Sequence, residues 1–201
     1  MYQKVNITES HLKILSLFTD GYDKDYYIRE TATLTKLSPR TCQLILHSLE
    51  KRGVLAGKSR GKIKTFSLKY NDVARQYLIL AEQYKRMAFF QKHEFVHAVI
   101  EKILPFIKGS AAVFGSYAKG LQHKDSDLDI FVAGTYNPDN VRTISETYGI
   151  DVSVKCYPQK LFSEKAGTDV LIREVFGNHV VILNTEYFVE IANGQNQLVF
   201  T

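Results

Sequence analysis

Residues 113–133 read Val-Phe-Gly-Ser-Tyr-Ala-Lys-Gly-Leu-Gln-His-Lys-Asp-Ser-Asp-Leu-Asp-Ile-Phe-Val-Ala, and they constrain this 201-residue chain more than any other stretch. Ala111 to Phe114 is a short apolar run that predicts a buried strand, and Gly115-Ser116 then reads as the turn into a helix. A glycine there allows an anion close to the backbone. Free N–H groups at a helix start attract negative charge, and a serine can donate to a phosphate oxygen. Ten residues further on, Asp127 and Asp129 open a second apolar run. Two positions apart on a strand, they point to one face, with roughly 6–7 Å between their backbone positions. Leu128, between them, points into the core. Aspartate is unfavourable in strands, so two on one face need a reason, and a divalent cation supplies one.

A third acid fits the same picture. Asp151 opens Ile-Asp-Val-Ser-Val-Lys at 150–155, another alternating segment. If that strand neighbours the Asp127 strand at about 4.8 Å, Asp151 joins the pair. Three carboxylates beside an anion-binding turn suit one or two Mg²⁺ ions, since hard cations take oxygen ligands and bridge to substrate phosphates.

Gly115-Ser116, ten residues, then Asp127-x-Asp129 resembles the signature of the minimal nucleotidyltransferases in the DNA polymerase beta superfamily, and Asp151 matches its third carboxylate. The resemblance covers about residues 90–201 and implies a mixed β-sheet with flanking helices. It implies Asp127, Asp129 and Asp151 as metal-holding and catalytic residues with two Mg²⁺ ions. It also implies a nucleoside triphosphate, with ATP the first candidate, docked at Gly115 and Ser116. Lys119 reads equally as a triphosphate contact or a solvated helix residue.

Composition sets outer limits. With 45% hydrophobic and 23% charged residues the chain has an ordinary globular balance. No apolar run approaches the ~18 residues of a membrane span. The start, Met-Tyr-Gln-Lys-Val-Asn, has no apolar signal core. Cys42 and Cys156 match no metal spacing and read as free thiols, which suggests a cytoplasmic protein. Charge is uneven: residues 1–70 carry 13 Lys/Arg against 6 Asp/Glu, and residues 71–201 carry 13 against 15. A basic head on a near-neutral body points to nucleic acid.

The head reads as three helices and a hairpin. Residues 8–19 form an amphipathic helix with Leu12, Ile14, Leu15 and Phe18 inward; 25–34 form a second, with Tyr27, Ile28, Ala32 and Leu34 inward. Ser38-Pro39 is a cap followed by proline at the first helical position, starting a third helix at about 39–52 that buries Leu44, Ile45 and Leu49. Then come Val54-Leu55-Ala56, a basic tip at 57–62, and a strand at 63–68. Three helices and a basic hairpin resemble a winged helix-turn-helix domain. That resemblance implies DNA bases facing Arg40, Thr41 and Gln43, and phosphates facing Lys58, Arg60 and Lys62. A protein-binding module is the competing reading of the same fold.

Residues 72–104 hold no Gly or Pro and read as helix, broken near 86–91. Tyr77, Leu80, Ala81, Tyr84, Met87 and Phe90 form more apolar surface than one domain edge covers, which suggests a linker helix and a second copy of the chain as a candidate partner; packing between the two domains explains it as well. Phe95, Val96, Val99, Ile100 and Ile103 belong on the catalytic sheet. His93-Glu94-Phe95-Val96-His97 fits H-E-x-x-H, a zinc protease pattern, without a persuasive third ligand. Further on, 141–148, 159–164, 168–176 and 186–192 read as helices and 179–183 as a strand.

The expected organisation is α+β: a winged helix at 1–70, a linker helix at 71–90 and a transferase domain at 91–201. The expected activity is transfer of a nucleoside monophosphate to a hydroxyl on a protein or nucleic acid. Similarity to minimal nucleotidyltransferase antitoxins adds a HEPN-type toxin as one acceptor. The alternative is a DNA-binding regulator whose transferase domain only senses nucleotide.

Overall fold

The computed structural model describes residues 6–61 and 63–194; the side chain of Arg60 lies outside that description. The chain divides into two units, Met1–Tyr84 and Lys85–Thr201.

In the first unit, α1 (Glu9–Thr19) buries Ile14, Leu15 and Phe18. A two-residue strand β1 (Tyr26–Tyr27) precedes α2 (Ile28–Thr35). The sequence places these tyrosines inside a helix beginning at 25. Instead they pair antiparallel with Phe66 and Thr65 of a distant strand, a long-range contact that overrides local propensity. Tyr27 and Leu34 are consequently exposed, and Thr31 and Ala32 face inward. α3 (Pro39–Lys51) starts as the sequence predicts: Ser38 Oγ accepts from the Thr41 N–H at 3.0 Å, with Pro39 at the first position. Its inner face is Cys42, Ile45, Leu46 and Leu49; Ile45 and Leu49 are buried as expected, whereas Leu44 is 57% exposed.

β2 (Leu55–Arg60) and β3 (Ile63–Leu68) form the hairpin, paired from Leu55↔Leu68 to Arg60↔Ile63. The first strand therefore runs further than expected, with Lys58 and Arg60 on β2 rather than in a loose tip, and the second covers 63–68 as expected. Among the described residues the sheet order is β1-β3-β2. α4 (Asp72–Lys92) spans the boundary: in the first unit Ala74, Leu78 and Ala81 are buried and Leu80 is exposed, and in the second Phe89 is buried and Met87 exposed.

In the second unit α5 (Glu94–Ile103) is followed by a short 3₁₀ turn at Leu104–Phe106 and by β4 (Ile107–Val113). The helix break falls at His93 (φ −128°, ψ 61°), a few residues beyond the expected one. Then come α6 (Gly115–Lys119), β5 (Leu128–Tyr136), α7 (Pro138–Tyr148), β6 (Val152–Tyr157), α8 (Gln159–Lys165), α9 (Val170–Gly177), β7 (Val180–Leu183) and α10 (Thr185–Gly194). The sheet order among the described residues is β6-β5-β4-β7. β5 and β6 are parallel and joined through α7, while β4 runs antiparallel to β5 and β7.

Strand alternation sorts the side chains to two faces. Ala111, Val113, Leu128, Ile130 and Val132 join Val96, Val99, Ile100 and Ile103 of α5 and Val141 of α7 in one core; Phe95, expected among them, is 55% exposed. On the opposite face Phe131 meets Phe162 of α8 at 5.3 Å, and Phe162 meets Phe176 of α9 and Phe188 of α10 at 5.7 and 5.9 Å. No described helix is long and apolar enough to cross a membrane.

The inner face of α3 has a measurable consequence. Leu46→Ala leaves a cavity and is expected to cost about 2–5 kcal/mol in urea denaturation of the first unit, whereas Leu44→Ala should stay within about 0.5 kcal/mol. Equal losses at the two positions would return Leu44 to the core.

Candidate active site

The acids of the motif are set by strand register. Asp129 pairs with Ser153 on the parallel neighbour, and Leu128 with Val152. One step before, the Leu128 N–H donates to the Asp151 carbonyl at 2.7 Å. Parallel neighbours in register point the same way, so Asp127 and Asp129 share a face with Asp151, Ser153 and Lys155. This is the face that carries Phe131. Leu128 is fully buried on the other side, as its position between two aspartates demands.

The glycine turn is held against this edge. The Phe114 N–H donates to the Asp129 carbonyl at 3.0 Å. Gly115 follows with φ +68°, and a Cβ there would run into the Asp129 carboxylate. Glycine is required twice, for the left-handed backbone and for the close approach. Ser116 is half-buried in the first turn of α6.

The surroundings of Asp129 hold its carboxyl above its ordinary value. Burial is the main cause, and the charge of Asp127 adds to it. The Ser153 hydroxyl, which donates to the carboxylate, and the Lys155 ammonium group pull the other way, while Glu174 of α9 raises it further. An acid crowded by acids and short of water is an environment that favours added positive charge. The donors are all oxygen, so the residues fit a hard divalent cation. Among the described residues, no group of three or more His, Cys, Asp or Glu side chains stands ready to hold a metal ion. The backbone brings Asp127, Asp129 and Asp151 to one end of two adjacent strands without drawing their side chains into a finished ligand set.

Lys119 is engaged elsewhere: its ammonium group pairs with Glu174 at 3.0 Å. Ser153, Lys155 and Glu174 were missed in the sequence. Ser153 and Lys155 were within reach, being two and four residues after Asp151 on an alternating strand. Glu174 carried no local signal. His123 lies in the loop after α6, its N–H donating to Ser126 Oγ at 2.7 Å.

The zinc pattern is split by the break at His93. The His93 ring lies 4.8 Å from Phe89 and edge-on to Tyr117 of α6, and burial, then the charge of Lys92, lowers its pKa. His97 stacks on Phe90 at 4.0 Å and pairs with Glu101 at 3.3 Å. The two rings have separate partners.

On the basic head, Arg40 is exposed and donates to Gln43 at 3.1 Å. Thr41 is less free than expected, because its hydroxyl bonds Ser38 Oγ at 2.8 Å within the helix cap. Lys58 is exposed, and Lys64 is tied to Glu50 at 2.7 Å. Lys62 lies outside the described residues.

Residues 94–183 match the family model described as a nucleotidyltransferase domain. That span runs from the start of α5 to the end of β7, enclosing the glycine turn and all three aspartates. The match supports nucleotidyl transfer as the general activity of the second unit. No curated protein matches the chain. Among solved structures, that of TrmBL2, an archaeal chromatin protein described as showing a novel mode of DNA binding, is 12% identical. The likeness covers 80% of this chain and 67% of that one, and its TM-score of 0.27 is too low to carry fold or function across.

The raised pKa of Asp129 predicts a pH effect. A folded state that holds this proton more tightly than the unfolded chain is favoured below the carboxylate range, and that advantage is lost as pH rises through the folded value. Asp129→Asn removes the loss and can still accept from Ser153. The variant should be more stable than wild type at neutral pH in denaturant titrations, its gain shrinking on the acid side of the carboxylate range. No gain at neutral pH would contradict the crowding described above.

Proposed function

We propose that the second unit transfers a nucleoside monophosphate from a nucleoside triphosphate, ATP first among them, to a hydroxyl group on a protein or nucleic acid. The observation that carries this reading is the contact between Gly115 and Asp129, which sets an anion-seeking turn against a carboxylate edge within the matched span. Asp127 and Asp129, with Asp151 beside them, would hold two Mg²⁺ ions, which when bound supply the positive charge that steadies the attacking and leaving oxygens. Ser153 fixes the Asp129 carboxylate by donating to it. Free N–H groups around Gly115 and Ser116 receive the phosphates. Asp151 accepts the proton of the acceptor hydroxyl as its oxygen bonds the α-phosphorus. The bond from that phosphorus to the bridging oxygen breaks, and pyrophosphate leaves.

We read the first unit as a winged helix that binds DNA, its three helices, hairpin and excess of basic residues being the support. Arg40 and Gln43 on the exposed side of α3 are the base-facing candidates, with Lys58 on the phosphates. The antitoxin-like role, with a HEPN-type toxin as acceptor in the cytoplasm, rests on the resemblance of the motif.

Incubation with α-labelled ATP, Mg²⁺ and the products of neighbouring genes should label one acceptor. Asp127→Asn and Asp129→Asn should each reduce that label by at least about 100-fold. Full labelling by either variant would remove the assigned roles. ATP-dependent DNA binding with no labelled product would favour a regulator that senses nucleotide. For the first unit, Lys58→Ala should weaken DNA binding and lower the salt-dependence slope by about one in fluorescence anisotropy; an unchanged slope would take Lys58 off the DNA.

A further inference from the structure

Glu174 lies on α9, an element whose position is fixed several times over. Ile172, Val175 and Phe176 are its buried face. Asp169 caps it, accepting from the Ile172 N–H at 3.0 Å, and Tyr157 donates to the other Asp169 oxygen at 3.3 Å. The helix therefore carries Glu174 as a rigid arm, with the side chain 48% exposed. Its partner, Lys119, ends α6, the helix that Gly115 and Ser116 begin. The two side chains meet at 3.0 Å across 55 residues of sequence.

The surroundings make this pair part of the carboxylate edge. Gly115, the first residue of α6, stands against the Asp129 carboxylate, which also feels the charges of Asp127 and of Lys155 on β6. Glu174 lies near enough for its charge to act on Asp129. An ammonium group on a flexible stem can change partner by rotating, and a half-exposed ion pair is weak enough to exchange. A triphosphate brings several negative charges where Glu174 brings one.

We propose that Glu174 is a positioning residue of the nucleotide site: it holds and neutralises Lys119 in the nucleotide-free chain and competes with the triphosphate for that ammonium group. The proposal rests on the nucleotide-transfer reading above. It gives Lys119 two partners used in turn, and it makes nucleotide affinity a property of α9 as well as of the motif. An opposing carboxylate would keep the site from binding isolated phosphate groups tightly, since only a ligand with enough charge displaces it.

The test is a double-mutant cycle on the full chain, with ATP and Mg²⁺ as the probe in titration calorimetry. Glu174→Gln keeps the shape and removes the charge, and should tighten ATP binding about three- to five-fold. In a Lys119→Met background the same substitution should change the Kd by less than about two-fold, because the partner it releases is gone. Glu174→Asp should bind closer to wild type than Glu174→Gln does. An unchanged Kd in Glu174→Gln, or an equal gain with and without Lys119, overturns the proposal. A wild-type chain that binds no ATP overturns the nucleotide reading and the proposal with it. A chain that binds ATP with a Kd indifferent to Glu174 overturns this proposal alone and leaves the nucleotide reading standing.

Discussion

The close approach of Gly115 to Asp129 holds the two halves of the motif together. A strand, β4, must deliver its last residues to the first residues of β5, and the Phe114–Asp129 backbone hydrogen bond fixes that delivery. The turn then leaves in a left-handed conformation that needs glycine. A Cβ at that position would run into the Asp129 side chain, so the carboxylate stands directly against the turn. The arrangement is electrostatically unbalanced without a ligand. Burial and neighbouring acids both work against ionisation of Asp129, and Ser153 and Lys155 offset them only in part. In the proposed reading, a bound cation would relieve that imbalance.

The two faces of the sheet divide the work. On one face, α5 and α7 cover an aliphatic core built from alternate residues of β4 and β5. On the other, a cluster of phenylalanines beneath α8, α9 and α10 ends where the aspartates begin. Phe131 and Asp129 are two positions apart on one strand, so the aromatic cluster and the polar edge are continuous. Packing far from the chemistry thereby fixes where the acids stand, and the helix that carries Glu174 is seated by the same rings.

Much of this was legible in the sequence because its signals are local. Aspartates at alternate positions in an apolar run, Ser38 before Pro39, and Gly115 after a short apolar strand each act through near neighbours. What failed to show depends on residues far apart. Tyr26 and Tyr27 form a strand only because Phe66 and Thr65 are there to pair with them. Leu44 and Leu46 are both apolar, and only the neighbours of α3 decide which one is covered. The histidines of the zinc-like pattern have the right spacing for one helix, but the backbone turns out of the helix at His93. Lys119 reads as free until α9 supplies Glu174. Ser153 and Lys155 are the intermediate case, since the alternation that exposes Asp151 also exposes them.

The parallel pairing of β5 with β6 has a consequence for how such a chain can change. Asp127 and Asp151 lie side by side only because α7 carries the chain back across the sheet and returns it in step. The pleat has a period of two, so sliding β6 by a single residue would send Asp151 and Ser153 through to the aliphatic side and bring Val152 round to the polar edge. Insertions or deletions between the two strands are therefore tolerable only where the turns at either end of α7 absorb them. Length variation among descendants of this chain should collect in those turns and avoid the strands themselves.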